Sequence, residues 1–432
     1  MPDAPPAAKS PGKLGLPMLT ALVVGNMVGS GVFALPEQLA PFGATSVLGW
    51  CVSAAGSMCF ALVLARLARR SPATGGPYAY TREAFGEFAA FLVGWGYWIS
   101  CWCAQAVIAI TLVRYLGDLV PGLTGGAGAA SAIVAIVLLL ELNVAGVRKA
   151  GAMQVLTTVL KILPLAAISL FGFTRFEPAH FEPFNPTGEP LYLAVQGCLA
   201  LTLWAFLGFE SATIAAGEAR DASRTVPRAT LIGIAIATVL YVAATLAVMG
   251  LVPREELMHS NAPFALAAEI LWGPWARKLV AAGAVVSCFG ALNGWILVSG
   301  QMPLAIARDG LFPEFFRRMS ARGTPAVGLR LSSGLAVLLI ALNSSGSLSA
   351  LFNGIVRLAT IAALIPFVFC AMADILLAVR ARERVLGGAI VAVIAFAYGM
   401  LAIHGAGQEY VSWGFLLFLG GIPFYALARV RA

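Results

Sequence analysis

The stretch "VVGNMVGSGVFALP", Val23 to Pro36, lies in the middle of the first apolar segment of the chain. It carries three glycines, an asparagine and a serine where an uninterrupted helix is expected. Glycine costs about 1 kcal/mol relative to alanine inside a helix, so Gly25, Gly29 and Gly31 within seven residues predict that the helix is broken there. Unpaired backbone at that depth is tolerated only where protein buries it or where it lines a cavity.

The surroundings of this stretch set the class. Of the 432 residues 60% are hydrophobic and 11% charged, against about 25% charged in a soluble domain. The chain reads as an all-α polytopic membrane protein with the lipid bilayer as its solvent, divisible into helices of about 20 apolar residues. Spans are expected at 15–40, 46–68, 88–117, 126–146, 151–173, 190–217, 227–252, 276–307, 325–345, 348–379, 384–403 and 409–429. Residues 1–13, "MPDAPPAAKSPGK", read as a disordered tail rather than a signal peptide, because the apolar run that follows is too long for one. Residues 14–432 read as a single domain.

A second interruption falls five spans after the first, in "TLWAFLGFESATIAAGEA", Thr202 to Ala219, where Gly208, Glu210 and Ser211 occupy the middle of a span. Interruptions at corresponding places in two halves point to an inverted repeat with a binding site at the membrane midplane. The repeats are expected over 14–175 and 188–380, followed by two extra helices over 384–430. The start of each second half-helix offers N–H groups to a carboxylate, and the end of each first half offers carbonyls to an amine. An amino acid zwitterion fits both.

The formal charge of +8 is spread in short clusters between apolar runs, a pattern that sets topology and argues against a nucleic-acid partner. Twenty-one basic residues, from Lys9 and Lys13 to Arg429 and Arg431, fall on one set of loops; Arg114, Arg175, Arg254, Arg277 and Lys278 fall on the other. The first set is expected to be cytoplasmic, which puts both termini there. Lys161 and Arg357 remain within spans. A charge near the bilayer centre costs about 2.5–3.5 kcal/mol, so both are candidates for a partner or an aqueous cavity.

Enzyme chemistry finds no support. The seven cysteines lie in apolar segments, and Cys101 and Cys103 project about 200° apart on a helix, so they cannot share one ion. His180, His259 and His404 are widely separated and lack metal-ligand spacing. There is no nucleophile–histidine–acid set and no phosphate-binding loop. No cofactor and no metal are expected.

The two interruptions, "SPATGGPYAYTREAFG" (Ser71 to Gly86), "LNVAGVRKAGAMQVLTTVLKILP" (Leu142 to Pro164) and "DGLFPEFFRR" (Asp309 to Arg318) resemble the amino acid–polyamine–organocation superfamily. The nearest pattern is its basic amino acid/polyamine antiporter branch, the arginine/agmatine and putrescine/ornithine exchangers of bacteria. The resemblance implies a LeuT-like fold of twelve transmembrane helices, residence in a bacterial inner membrane, a small-molecule amino acid or amine substrate, and a homodimer. It implies that backbone at Ser30 and Gly31 receives the substrate carboxylate, and that the carbonyls of Met27, Trp204 and Leu207 receive its amino group. Trp295 would be the aromatic platform for the side chain and Trp204 the gate. Tyr97, Cys101 and Gln105 follow one another at four-residue spacing on one helix face, with Ser100 beside them, and the resemblance lays this face along the substrate side chain, with Tyr97 in the gate. Glu210 matches an acid associated with gating and proton coupling.

Two residues depart from the arginine/agmatine pattern. Lys161 resembles the lysine that stands for a sodium ion in proton-coupled and neutral amino acid members. Arg357 falls where the basic-substrate exchangers carry small polar residues, and a fixed cation there opposes a cationic side chain unless it pairs with Glu210 or turns away. The expected function is exchange of a basic amino acid for its decarboxylated amine, of the arginine/agmatine kind; the alternative is a proton-coupled permease or exporter of neutral amino acids.

Overall fold

The computed structural model describes residues 14–430 apart from 72–74, 124, 146, 215, 217, 218, 343–347, 384 and 385. The expected disordered tail over 1–13, and with it Lys9, Lys13, Arg384 and Arg431 of the basic set, lie outside the described residues. In chain order the helices are α1 (Leu16–Met27), α2 (Ser30–Leu39), α3 (Thr45–Arg70), α4 (Pro77–Phe85), α5 (Glu87–Leu119), α6 (Gly125–Val144), α7 (Val147–Phe171), α8 (Leu191–Phe206), α9 (Ser211–Ile214), α10 (Ala222–Leu251), α11 (Arg254–Met258), α12 (Pro263–Trp272), α13 (Pro274–Arg308), α14 (Ala326–Leu342), α15 (Leu348–Arg380), α16 (Leu386–Gly405), α17 (Gln408–Leu419) and α18 (Ile422–Val430).

Among the described residues nine helical stretches are long and apolar enough to cross a membrane. Their outward faces are apolar too: Leu138, Val239 and Leu386 are 62%, 71% and 80% exposed, which suits hydrocarbon and not water. The chain is an all-α, multi-pass membrane protein. At its centre α5 packs along α13, and every residue of α5 from Cys103 to Tyr115 is buried.

Short helices between the long ones show how the halves correspond. Helix α4 begins at Pro77 and α12 at Pro263, where proline's missing N–H costs nothing. Each ends at a glycine in nearly the same conformation, Gly86 at φ 85°, ψ −172° and Gly273 at φ 92°, ψ −178°, from which α5 and α13 start directly. That positive φ favours glycine. Helix α4 rests on α5 and α15, while α12 rests on α13 and α7.

The Tyr78 hydroxyl of α4 donates to Asp309, just past the end of α13, at 2.7 Å. At the other end Arg277, in the first turn of α13, pairs with Asp118 near the end of α5 and with Glu269 of α12, both at 2.7 Å. Helices α5 and α13 are therefore antiparallel, with α4 and α12 at opposite ends. The same order of elements runs twice in opposite senses.

Two spans are seen in finer detail, and one expectation is corrected. The interruption expected within the 190–217 span divides it into α8 and the single turn of α9. The last span is divided between α17 and α18, where a Cβ on Gly421 would lie 2.9 Å from the Trp95 ring. Arg114, taken from the sequence as a loop charge, lies inside α5 with its side chain 2% exposed; it pairs with Glu37 of α2 and donates to the Ser260 carbonyl at 3.2 Å. A buried guanidinium needs such a partner.

Candidate substrate site

Helix α1 stops at Met27 and α2 starts at Ser30, with Val28 at φ −72°, ψ 87° and Gly29 at φ −133°, ψ −134° between them. The break leaves carbonyls at the end of α1 and N–H groups at the start of α2 without intrahelical partners. No side chain caps the start of α2. On the α1 side Lys161 of α7, fully buried, donates to the Gly25 carbonyl.

The second break follows α8. Gly208 adopts φ 115°, and a Cβ there would lie 2.8 Å from the Asn26 carbonyl carbon and 2.9 Å from the Met27 nitrogen. Only glycine satisfies both conditions. Glu210, with no exposed surface, accepts from the Tyr97 hydroxyl at 2.7 Å and from the Gly208 N–H at 2.9 Å. The breaks are joined by Asn26 Nδ2, which donates to Ser211 Oγ at 2.8 Å. Gly31 of α2 comes so near α8 that a Cβ would lie 2.9 Å from Ala205 Cα and 3.2 Å from Trp204 Cδ1.

Between these breaks lies a cavity of about 10 Å³, the smallest space that admits a water. Of the candidates, Met27, Ser30, Gly31, Trp204, Leu207 and Trp295 line it. Asn26, Gly29 and Ile108 complete the lining and were not singled out from the sequence. Ile108 lies one turn beyond Gln105 on the face that carries Tyr97 and Cys101, so extending the helical period finds it. Trp204 and Trp295 are 6% and 7% exposed, so both indoles are buried in its walls.

Side-chain contacts tie the surrounding helices together on both sides of the cavity. At one end Arg114 holds Glu37, and Tyr115 donates to the Phe33 carbonyl at 2.8 Å while accepting from the Phe264 N–H at 3.3 Å. These contacts pin α2 to α5 and α12. Toward the other end, the Tyr97–Glu210 bond joins α5 to the second break.

The remaining candidates lie away from the cavity, most of them held by other partners. Ser100 Oγ donates to the Tyr97 carbonyl at 2.7 Å. Gln105 donates to Ser299 Oγ at 2.8 Å and accepts from Ser333 Oγ at 2.9 Å, which ties α5 to α13 and α14. Cys101 is buried in α5. Neither it, Ser100 nor Gln105 is among the cavity's lining residues. Arg357 is not brought to this cavity at all. Its Nη1 donates to the Ala406 carbonyl at 2.9 Å and its Cζ sits 5.7 Å from the Tyr410 ring centre. Among the described residues no guanidinium lines the central cavity.

Comparison with known proteins agrees with this architecture. The profile of the amino acid permease family matches residues 14–425. The chain is 32% identical over 421 residues to the cadaverine/lysine antiporter of Escherichia coli (strain K12), covering 96% of this chain and 94% of that protein. It is 33% identical over 430 residues to the putrescine transporter PotE of Haemophilus influenzae, with 98% and 99% covered, and 32% identical over 428 residues to PotE of Escherichia coli (strain K12), with 97% of each covered. The match extends over nearly the whole of each protein, and the two facing helix breaks are what such a transporter needs to hold a solute inside a bilayer. The chain belongs to the amino acid permease family of the amino acid–polyamine–organocation superfamily, whose members are transporters and not enzymes.

Proposed function

We propose that this protein is a secondary transporter that exchanges a basic amino acid for its decarboxylated amine by alternating access at the central cavity. The observation that carries the reading is the convergence of two half-helix ends on one cavity walled by Trp204 and Trp295. Free N–H groups at Ser30 and Gly31 suit a carboxylate; carbonyls at Met27, Trp204 and Leu207 suit an ammonium. The indole of Trp295 gives a guanidinium or alkylammonium an aromatic face, an interaction of about 0.5–2 kcal/mol. Among the described residues no guanidinium lines the cavity, so the Arg357 charge does not oppose a cationic side chain there.

In this reading Trp204 and Tyr97 are gates, Glu210 and Lys161 are the groups through which protons couple to transport, and Ser100, Cys101 and Gln105 follow the substrate side chain once the cavity widens. Counting α7, α8 with α9, and α14 as crossings gives twelve. Repeat one spans 14–175, repeat two 188–380, and two extra helices occupy 384–430. Both termini are cytoplasmic, the membrane is a bacterial inner membrane, and the assembly is a homodimer. The names of the relatives favour a diamine such as cadaverine or putrescine as the exchanged product, and arginine with agmatine is the pair the sequence resemblance favours. Lys161 on the Gly25 carbonyl supports a second reading, a proton-coupled permease or exporter of neutral amino acids.

Counterflow in proteoliposomes at pH 5 and pH 7 separates these. Labelled lysine, arginine or leucine is loaded inside, with unlabelled amino acids, cadaverine, putrescine and agmatine outside. Efflux of lysine or arginine driven by an external amine and abolished by Trp295→Ala is the expected result. Exchange of leucine alone would establish the second reading.

A further inference from the structure

A second, much larger cavity of about 410 Å³ opens at the end of the bundle that carries loop 176–190. Its volume is in the range of small-molecule sites, about 300–1,000 Å³. It lies between the start of α8, the end of α16 and the first third of α15, and its lining includes Thr187, Glu189, Gln196, Arg357 and His404. Gln196 and Trp204 are eight residues apart on α8, about 12 Å of helical rise, so the cavity lies on the outer side of the central one. Between the two, Thr360 Oγ donates to the Ala200 carbonyl at 3.3 Å and seals α15 to α8.

Its charges are arranged for a ligand that carries both signs. The Arg357 guanidinium is held in place by the Ala406 carbonyl and the Tyr410 ring. Its other N–H groups have no partner among the described residues, and its position inside a long apolar helix is expensive without one. Glu189 is anchored through its backbone: Asn185 Nδ2 donates to its carbonyl at 2.8 Å, and its N–H donates to Thr187 Oγ1 at 3.2 Å. Its carboxylate forms no ion pair among the described residues, with Arg357 or any other group. A cation and an anion that line one cavity without pairing leave room for a ligand between them. A guanidinium takes a carboxylate through two parallel hydrogen bonds, and Glu189 takes an ammonium.

We propose that this outer cavity is a capture site for α-amino acids, with the substrate carboxylate on Arg357 and its ammonium toward Glu189, and that it rejects the decarboxylated amine. This rests on the transporter reading of the central cavity. A diamine carries no carboxylate, so it meets Arg357 only as a like charge. Arg357, which lies away from the central cavity, thus sorts the two exchange partners at the mouth. It concentrates the amino acid where uptake begins and lets the departing amine leave.

The test is equilibrium binding of radiolabelled lysine, and separately of radiolabelled cadaverine, to the purified full chain in detergent. The wild type is expected to hold two equivalents of lysine and one of cadaverine. Arg357→Ala should remove one lysine equivalent and leave cadaverine unchanged, and Glu189→Gln, a change on an exposed loop, should weaken the same equivalent by about threefold or more. Trp295→Ala should remove the other lysine equivalent. The proposal is overturned if the wild type holds one equivalent that only Trp295→Ala removes, or if Arg357→Ala and Glu189→Gln both bind lysine as the wild type does. In either case exchange abolished by Trp295→Ala leaves the transporter reading standing. If Trp295→Ala leaves exchange intact while an Arg357-dependent equivalent remains, it is that reading that fails. An ethanolamine phospholipid headgroup shares the ligand's two charges. Loss of the Arg357-dependent equivalent in vesicles containing phosphatidylethanolamine, but not in phosphatidylglycerol alone, would assign the cavity to lipid and overturn the proposal.

Discussion

The two helix breaks solve one problem with opposite chemistry. At the first, the surplus groups near the end of α1 are carbonyls, and a basic side chain, Lys161, donates to one of them. At the second, the N–H of Gly208 is unpaired by the helix, and an acidic side chain, Glu210, accepts from it. Both side chains have no exposed surface. Each break is therefore wedged from its own repeat's surroundings, Lys161 from α7 and Glu210 from within the break itself. The partner chosen is the one whose polarity the exposed backbone end demands. The first prop is remote in sequence and the second is local, so the first break depends on tertiary packing and the second on backbone conformation.

That difference predicts how each break fails. The largest loss is expected from Gly208→Ala, which combines a left-handed φ, costing about 1–3 kcal/mol, with a Cβ pressed on the backbone of Asn26 and Met27. Gly31→Ala should cost less, because its φ is ordinary and only the approach to Ala205 and Trp204 must widen. Gly29→Ala should cost least of the three, since its Cβ meets the Ala291 methyl at 3.0 Å. Thermal unfolding of the three variants in detergent gives the order directly. Equal losses at Gly29 and Gly208 would show that both breaks are set by packing alone.

Next in size are the props themselves. Lys161→Met leaves the Gly25 carbonyl buried and unpaired, and Glu210→Leu does the same to the Gly208 N–H; each should cost about 1–3 kcal/mol. Glu210→Gln should be milder, because an amide oxygen still accepts from Gly208 and its amide nitrogen can donate to the Tyr97 oxygen. Denaturant midpoints of the three variants test this. A Glu210→Gln loss as large as that of Glu210→Leu would mean that the carboxylate charge, and not its acceptor geometry, holds the second break.

Both breaks were legible in the sequence because glycine has a meaning inside an apolar run that does not depend on neighbours. Met27, Ser30, Gly31, Trp204, Leu207 and Trp295, which the resemblance implied as substrate contacts, line the central cavity. The direction of Arg357 was not legible. A position in a span fixes depth along a helix but not the azimuth of a side chain with four rotatable bonds, and the Ala406 carbonyl that receives it lies 49 residues away. Gln105 shows the same limit: its helix face is as expected, yet Ser299 and Ser333 occupy its amide. The correspondence of α4 with α12 was available as "PYAYTREAFG" and "PFALAAEILWG", two proline-to-glycine runs of similar length before the third and eighth spans. Its hydrophobic period is too short to stand out beside thirty-residue helices.

The smallest effect sharpens the comparison most, because it concerns a side-chain bond that crosses from break to break. Asn26 Nδ2 donates to Ser211 Oγ, and Asn26 has a further partner besides, so a single Asn26→Ala substitution would mix two losses. A cycle of Asn26→Ala, Ser211→Ala and the double variant isolates the shared bond, expected at about 0.5–1.5 kcal/mol of coupling. Measured in detergent without substrate, that coupling says whether the two half-helix junctions are held as a unit in the closed form. Repeated with a saturating substrate, it should fall toward zero, because a solute between the breaks must part α1 from α9 to reach the N–H groups at Ser30 and Gly31. Coupling that survives substrate binding would mean that the breaks move together and that the cavity widens instead at Trp204 and Trp295.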